Sequence, residues 1–373
     1  MSSTIDAAPS VASAAGELRA RLGPERVLVS GALYDQARRI WNGAVDHEPA
    51  LIVRAETAAE VRAAVMAGRC HHLPVSVRGG GHDWAGRALR PGGLVIDLTG
   101  MRQVAVDTET RTATVGGGAT AREVIAAAAP YGLVAATGTC GSVGMAELTL
   151  VGGYGPLNGR FGLALDNLLA AEAVLADGRL VTVDAAHEPE LFWAIRGGGG
   201  NFGVVTSIRV RLHPAPRLLA GFIEFAWEQA AGVWDGLRAV LADAPDELTV
   251  QSGILPGLHG APRMFLFPVW SGEAAPGEGA GGEGHRRAGA ARHAGGLPGR
   301  SHNLPRFARP VRPQHRRRSP LRDPHPVGGR LHAERHLGPG RGRPGRDVAA
   351  IDRLHPPLPR RCRTSSPRRD GVR

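Results

Sequence analysis

A glycine loop that ends in a histidine is the stretch of this chain best suited to bind an anion. The loop consists of Arg78, Gly79, Gly80, Gly81 and His82, and it follows an apolar segment, Leu73–Val77, that is typical of a buried strand. Glycine permits positive φ and leaves no Cβ between the backbone and a ligand, so successive N–H groups can form a nest for phosphate oxygens. Arg78 would add positive charge, and His82 would place a nucleophilic imidazole at the rim. The alternative is a tight turn without a ligand, because most glycine-rich turns bind nothing.

A second candidate segment, residues 136–144, is built almost entirely from small residues. It contains Thr137, Gly138, Cys140, Ser142, Val143 and Gly144. A flat ligand could lie against such a loop, which offers hydroxyl groups and main-chain N–H donors. By position alone, Cys140 is predicted to be a small buried residue, the usual fate of a lone cysteine.

The third glycine-rich segment, Arg196–Thr206, loosely matches a dinucleotide-binding glycine pattern. It follows a predicted helix and precedes a predicted strand, which is the wrong order for that pattern and disfavours an NAD-dependent dehydrogenase. We interpret it instead as a helix-to-strand loop whose backbone approaches a ligand, with Gly203, Val204 and Val205 at its end.

Strands and helices are predicted around these loops from apolar periodicity and caps. The predicted strands are Pro49–Arg54, Leu73–Val77, Gly93–Leu98, Thr112–Val115, Ala171–Leu175, Leu180–Asp184 and Gly203–Leu212. The predicted helices are Thr57–Ala67, Ala121–Ala129 and Pro189–Ile195, the first two opening with a Thr-x-x-Glu capping box. An Asp-Gly turn between the fifth and sixth strands indicates a hairpin. Short connections of this kind are typical of an α+β domain.

A second domain is predicted to begin after residue 216. Leu218–Trp227, Thr249–Leu255 and Met264–Trp270 are predicted strands, and Ala231–Ala242 is a predicted amphipathic helix. We divide the chain into a flexible N-terminus (1–30, with 1–16 disordered), a main domain (31–216), a truncated second domain (217–273) and a tail (274–373).

The composition changes sharply at residue 273. Residues 1–273 carry 22 Arg and 27 acidic residues, whereas residues 274–373 carry 23 Arg, 7 acidic residues and 14 of the 28 prolines. The chain has no lysine, and GC-rich codons translated in the wrong frame would produce such a tail. We therefore predict a disordered tail and a frameshift near Ser271–Pro276. Nucleic-acid binding is the alternative, but a single aromatic residue, Phe307, leaves little for base stacking.

Apolar segments long enough for a signal sequence or a membrane span are missing from the sequence, so we expect a cytoplasmic protein without a membrane partner. The histidines and Cys362 of the tail lack the spacing of metal ligands, and no metal site is predicted.

The region from Tyr34 to Leu212 resembles the FAD-linked oxidoreductases of the berberine bridge enzyme-like group, which have a p-cresol methylhydroxylase-type FAD-binding domain. The segments that carry the resemblance are Val77–Trp84, Gly93–Leu98, Thr137–Gly144, Gly162–Leu168 and Leu191–Thr206. The resemblance implies an α+β FAD-binding domain of two subdomains, here followed by an incomplete α+β substrate domain.

The resemblance also implies roles for the three loops. Residues 78–82 would bind the pyrophosphate of FAD, and His82 would be bonded to the flavin 8α-methyl group. Cys140 stands where some members carry a thioether to flavin C6. Residues 137–144 would line the flavin, and Gly203–Val205 would contact it through the backbone.

The implied function is an FAD-dependent oxidoreductase that takes a hydride from a small-molecule alcohol or similar C–H bond and is reoxidised by O2. The family's tyrosine base and Asn-containing flavin motif lie beyond residue 273, where this chain has no tyrosine, so no catalytic base is assigned. The alternative is a catalytically impaired flavin-binding remnant. Two departures bear on activity: Glu147 and Val151 replace glycines of the family and would crowd the flavin, with Arg160 as a partner for Glu147.

Overall fold

The computed structural model describes residues 7–257 and 260–273. In these residues the strands form three sheets, and helices connect the strands. The helices are α1 (Ala7–Leu22), α2 (Ala32–Ala37), α3 (Ala58–Cys70), α4 (Ala121–Ala128), α5 (Met145–Leu150), α6 (Asn158–Phe161), α7 (Pro189–Ile195) and α8 (Ala230–Leu241). The predicted tail and the predicted frameshift fall outside the described residues, apart from Ser271–Glu273.

The first sheet is mainly parallel and lies between two apolar layers. Its strands are β1 (Val27–Leu28), β2 (Leu51–Arg54), β3 (Val75–Arg78) and β4 (Leu94–Asp97), in the order β1-β2-β4-β3. Helices α1 and α3 pack on one face together with Leu51 and Ile96, and Tyr34 of α2 packs on the other with Ile52. Strands buried on both faces are continuous apolar runs, which is why this sheet was predictable from sequence.

The second sheet is antiparallel and surrounds the longest strand, β10 (Val204–Pro214). The other strands are β5 (Val104–Asp107), β6 (Thr112–Gly116), β7 (Leu133–Ala135), β8 (Leu168–Val174) and β9 (Leu180–Asp184), and β10 pairs with β6, β7 and β8. Strands β8 and β9 form the predicted hairpin, with Gly178 at φ 83° in its turn. Helices α4, α5 and α7 cover the sheet, and Val124, Met145 and Phe192 enter its core.

The third sheet belongs to the predicted second domain. Its strands are β11 (Leu219–Ala220), β12 (Ile223–Ala226), β13 (Leu248–Pro256) and β14 (Pro262–Trp270), and β14 pairs with the other three. The predicted strand Leu218–Trp227 is two short strands in the structure. The predicted apolar face of helix α8 is mostly open, since Leu237 is buried but Trp234 and Leu241 are exposed.

The N-terminus corrects a prediction. Residues 1–30 were expected to be flexible, but α1 begins at Ala7 and buries Ala14, Ala15 and Leu18. Alanine is the strongest helix former, and this face packs against α3, so an alanine-rich segment that resembles a disordered one is ordered by tertiary contact. Strand β1 also lies before residue 31, so the main domain begins earlier than predicted.

The helix caps confirm Thr57 and Thr120 as the caps of α3 and α4, but the predicted capping box forms only at α4, because the Glu60 carboxylate accepts from Glu56 N. Thr57 accepts a hydrogen bond from the main-chain N–H of Glu60 at the start of α3. At α4, the Glu123 carboxylate accepts from the main-chain N–H of Thr120 at 2.8 Å. In the part of the chain that the structure describes, no helix has both the length and the apolar character that crossing a membrane requires.

Candidate functional site

The glycine loop after β3 lies backbone to backbone against the loop that precedes α5. A Cβ on Gly80 would lie 2.1 Å from the nitrogen of Gly144, and a Cβ on Gly144 would lie 2.5 Å from the nitrogen of Gly80. Gly81 has φ 71°, a conformation that other residues rarely adopt. The glycines that the sequence marked as ligand contacts are therefore also required by the packing of the two loops.

The main-chain donors of the glycine loop converge on one anion, the carboxylate of Glu147. The N–H of Gly80 donates to Glu147 Oε2 at 3.0 Å, and the N–H of His82 donates to Glu147 Oε1 at 3.3 Å. Helix α5 begins with the bond from Leu148 N to the carbonyl of Gly144, which places residue 147 in the first turn facing the loop. We call these two N–H groups the anion cradle.

The predicted partner of Glu147 was wrong. Arg160 donates to the carbonyl of Ser271 and lies over the ring of Phe161 at 5.6 Å. Val151, the second departure, is 71% exposed at the end of α5. Of the two departures, Glu147 is therefore the one that contacts the glycine loop.

His82 and Cys140 are brought together through Ser142. His82 Nε2 lies 2.9 Å from Ser142 Oγ, and Cys140 Sγ lies 3.2 Å from the same oxygen. Cys140 is a free, exposed thiol, so its interpretation as a buried core residue was wrong. The two side chains that the resemblance marks for covalent attachment thus lie on either side of one hydroxyl group.

The surroundings of Cys140 favour its thiolate. Hydrogen bonding from the Ser142 hydroxyl lowers the pKa of the Cys140 thiol below its ordinary value, and the N–H groups of Ser142 and Val143 act in the same direction. The positive charge of Arg122 adds a smaller effect on the same pKa. Because the thiolate is the nucleophilic form, these contacts raise the reactivity of the thiol near neutral pH.

Arg78 does not take the predicted role of a charged ligand for the cradle. Its guanidinium donates to the main-chain carbonyls of Ala37 and Arg39 and pairs with Asp97, which is only 2% exposed. Arg78 and Asp97 are partners in the register of the parallel pair β3 and β4. A buried carboxylate without a partner is costly, so the strand register commits this arginine to a structural ion pair.

Thr137 and Val143 stabilise the 137–144 loop by hydrogen bonds within it and to the start of α4. The buried hydroxyl of Thr137 donates to the carbonyl of Gly138 at 2.9 Å, and the carbonyl of Val143 accepts from Ala121 N at 2.9 Å. These bonds fix the 137–144 loop to the start of α4.

Of the predicted segment Gly203–Val205, Val205 approaches the site through a third glycine turn, whereas Gly203 lies against the carbonyl of Val174. A Cβ on Gly117 would lie 2.7 Å from the carbonyl oxygen of Val205, and a Cβ on Gly79 would lie 3.4 Å from that of Gly117. The backbone of β10 is therefore one layer behind the anion cradle. The exposed glycines at 197–200 lie elsewhere, since Gly197 N donates to the carbonyl of Leu150.

Three contacts at the site carried no signal in the sequence. The ring of Trp41 stacks on His82 with centroids 5.4 Å apart, and Trp84 meets Trp41 edge-on at 4.9 Å. On the other side, Thr139 Oγ1 donates to Gln251 Oε1 of β13 at 2.8 Å. The third sheet therefore borders the loop that carries Cys140.

Comparison with known proteins identifies the domain. Residues 49–184 match the family described as FAD binding domain. The chain therefore carries an FAD-binding domain, similar to that of FAD-linked oxidoreductases. A curated relative of this domain, (R)-6-hydroxynicotine oxidase of Paenarthrobacter nicotinovorans, is 41% identical over 216 residues, 58% of this chain and 47% of that protein. The FAD-linked oxidoreductase aurO of Gibberella zeae is 36% identical over 238 residues, 64% of this chain and 46% of that protein.

Solved structures agree with the sequence comparison. The crystal structure of 6-hydroxy-D-nicotine oxidase from Arthrobacter nicotinovorans matches 66% of this chain and 55% of its own, with a TM-score of 0.63 and 36% identity. The BBE-like 1 protein of Physcomitrella patens matches 66% of this chain and 54% of its own, with a TM-score of 0.61 and 29% identity. The α+β fold of the FAD-binding domain is confirmed, and the chain spans about half the length of the curated relatives it matches.

The residues of the site fit FAD in all but one respect. Two converging N–H donors suit a phosphate oxygen, the glycines keep the backbone accessible, and His82 and Cys140 present nucleophilic atoms beside the cradle. The exception is Glu147, whose carboxylate already accepts from both donors. A pyrophosphate and this carboxylate cannot accept from the same two N–H groups at once.

Proposed function

We propose that this chain is an FAD-dependent oxidoreductase that oxidises an alcohol or similar C–H bond of a small molecule, with O2 as the final electron acceptor. The bound flavin would supply the hydride acceptor. The observation that supports this proposal is the group formed by the anion cradle, His82, Ser142 and Cys140, in a domain whose family binds FAD. Sugars, polyols, alkaloids and polyketide intermediates are all compatible substrates.

His82 is the proposed covalent attachment point, with Cys140 as a second one. Ser142 holds the His82 imidazole by its Nε2 atom, and the ring of Trp41 supports the imidazole from one side. Ser142 also stabilises the thiolate of Cys140, the form that a sulfur–carbon bond requires. A covalent tether would retain the cofactor in a chain that aligns with only about half the length of its relatives.

Thr137, Gly138 and Gly144 are proposed to line the flavin, and Gly203–Val205 to support it through β10. Arg78 would act indirectly, because it orients the glycine loop through Asp97 and the carbonyls of Ala37 and Arg39. The catalytic base remains unassigned among the described residues.

A flavin-binding remnant without turnover is the second candidate. Its support is that the chain aligns with only about half the length of its relatives, and that large apolar side chains of the third-sheet region, such as Phe222 and Ile254, are exposed. Such a sheet offers little of a substrate pocket.

Acid precipitation of the purified full chain, expressed with FAD available, tests the proposal. We expect a yellow pellet, and peptide mass spectrometry should place the flavin on His82, with or without Cys140. H2O2 production on a panel of alcohols and sugars would then support the oxidoreductase, whereas a yellow pellet without turnover would support the remnant. A colourless protein whose His82 peptide is unmodified and whose FAD is removed by dialysis contradicts covalent attachment.

A further inference from the structure

Glu147 occupies the position that an anionic ligand of the glycine loop would take. Its two carboxylate oxygens accept from the N–H groups of Gly80 and His82, as two oxygens of one ligand phosphate would. We propose that Glu147 is a specificity-determining residue that fills the anion cradle and competes with a diphosphate for its two N–H groups. This inference rests on the proposed function, in which the diphosphate belongs to FAD.

The carboxylate fills the space that the glycines leave. A Cβ on Gly79 would lie 2.9 Å from Glu147 Oε2, and a Cβ on Gly144 would lie 3.1 Å from Glu147 Cδ. The carboxylate is therefore in contact with the bare backbone of both loops. A diphosphate could not reach Gly80 and His82 beside it without overlap, and its negative charges would face a like charge at contact distance.

Nearby arginines do not draw Glu147 out of the cradle. Arg78 is engaged by Asp97 and two carbonyl groups, and Arg160 is engaged by the carbonyl of Ser271. Among the described residues, the hydrogen-bond partners recorded for the Glu147 carboxylate are the two cradle N–H groups. The side chain is half-buried and starts from the first turn of α5, whose backbone bonds hold it against the loop.

Substitution of residue 147 should therefore release the cradle. Glu147→Gly removes both the carboxylate and the side chain, and Glu147→Gln keeps the shape but removes the charge. We expect Glu147→Gly to bind FAD at least tenfold more tightly than the unmodified chain, with Glu147→Gln in between. Glu109→Gln, which removes one exposed carboxylate in the turn between β5 and β6, is the matched control and should leave FAD binding unchanged.

The experiment uses the full chain, produced without added FAD, and measures two ligands separately. Calorimetric titration with inorganic pyrophosphate tests the cradle, and titration with FAD, followed by quenching of flavin fluorescence, tests the proposed function. Hydrogen–deuterium exchange of a peptide that contains residues 79–83 should be faster in Glu147→Gly and should slow when pyrophosphate is added. Glu147→Gln supplies the same comparison if Glu147→Gly does not fold.

The possible outcomes separate the two proposals. Tighter pyrophosphate binding by the 147 variants supports the inference even if FAD does not bind, in which case only the proposed function fails. Equal pyrophosphate binding by all variants overturns the inference. An unmodified chain that binds FAD as tightly as Glu147→Gly also overturns it, but supports the proposed function.

Discussion

The first two sheets and the third sheet contain similar residues but bury them very differently. Ile96 of β4 is 0% exposed, whereas Ile254 of β13 is 62% exposed and Trp234 of α8 is 47% exposed. Apolar layers cover both faces of the first sheet, and helices cover one face of the second, in which burial alternates along β10. The third sheet has α8 beside it but no second layer among the described residues. Burial thus depends on whether the chain supplies a partner layer, which residue type alone does not decide.

The relatives align with 216 and 238 residues of this chain, which is about half of their own length. A frameshift near Ser271–Pro276 was predicted from the composition beyond that point, and it stays a prediction because most of those residues lie outside the described part of the chain. Translation of the other reading frames beyond that point tests it: continuous strand-like segments ending in a motif with Tyr and Asn support it, and none in any frame contradicts it.

The largest expected contrast is between two isoleucines. Ile96→Ala removes a fully buried side chain and should lower the free energy of unfolding by about 2–5 kcal/mol. Ile254→Ala removes a mostly exposed one and should change it by less than about 0.5 kcal/mol. Urea unfolding followed by circular dichroism measures both, and equal losses would mean that the third sheet is covered in solution.

Two glycines sharpen the same contrast. A Cβ on Gly118 would lie 1.6 Å from the carbonyl oxygen of Leu98, so Gly118→Ala must shift the backbone where the first two sheets meet. We expect it to cost about 1–3 kcal/mol of stability. Gly236, in α8, has open space around it, and Gly236→Ala should stabilise the chain by about 0.5–1 kcal/mol. Thermal unfolding of both variants checks whether the two changes have opposite signs.

Helix capping also differs between the regions. Thr57 caps α3 through its hydroxyl, whereas no side-chain cap is recorded for α8 at Gln229. Thr57→Ala should cost about 1 kcal/mol, and Thr57→Ser should retain most of the stability because it keeps the hydroxyl. Chemical denaturation distinguishes them, and an equal loss in both variants would assign the effect to the methyl group instead.

The smallest expected effect concerns Cys140, which lies where the two regions meet. Its thiol pKa is lowered chiefly by the Ser142 hydroxyl, which stabilises the charged thiolate. Ser142→Ala should therefore raise this pKa, move the pH profile of iodoacetamide alkylation to higher pH and slow the reaction at pH 7.5. Cys140→Ser identifies the signal as that of residue 140. An unchanged pH profile would show that the main-chain donors are sufficient.

Local predictions succeeded where neighbouring residues decide the conformation. Helix α7 has the predicted bounds, the caps of α3 and α4 are where Thr57 and Thr120 indicated, and the β8–β9 hairpin turns at the predicted Asp-Gly pair. Apolar periodicity and cap chemistry act over a few residues, so they can be recognised in the sequence. Short elements that depend on distant partners were missed, including β7, which pairs with the end of β10.

The candidate site divides in the same way. The three glycine segments, His82 and Cys140 were recognisable from residue type, and the resemblance connected them to FAD. The contacts of Arg78 could not be predicted, because its partner, Asp97, is set by the register of β3 and β4. Glu147 was recognised as a departure, but its partners were not, since they are main-chain groups of a loop far away in sequence.

The sequence by itself determined the positions of the glycine-rich loops, the strands that flank them and the nucleophilic side chains, His82 and Cys140. Only the tertiary structure decided that Gly80 lies against Gly144, that Ser142 joins His82 to Cys140 and that a carboxylate of the chain fills the cradle. The physical reason is that φ and ψ preferences act locally, whereas contacts between distant loops depend on how sheets are paired and layered. Residue types limit which interactions can form, and tertiary packing determines which of them do form.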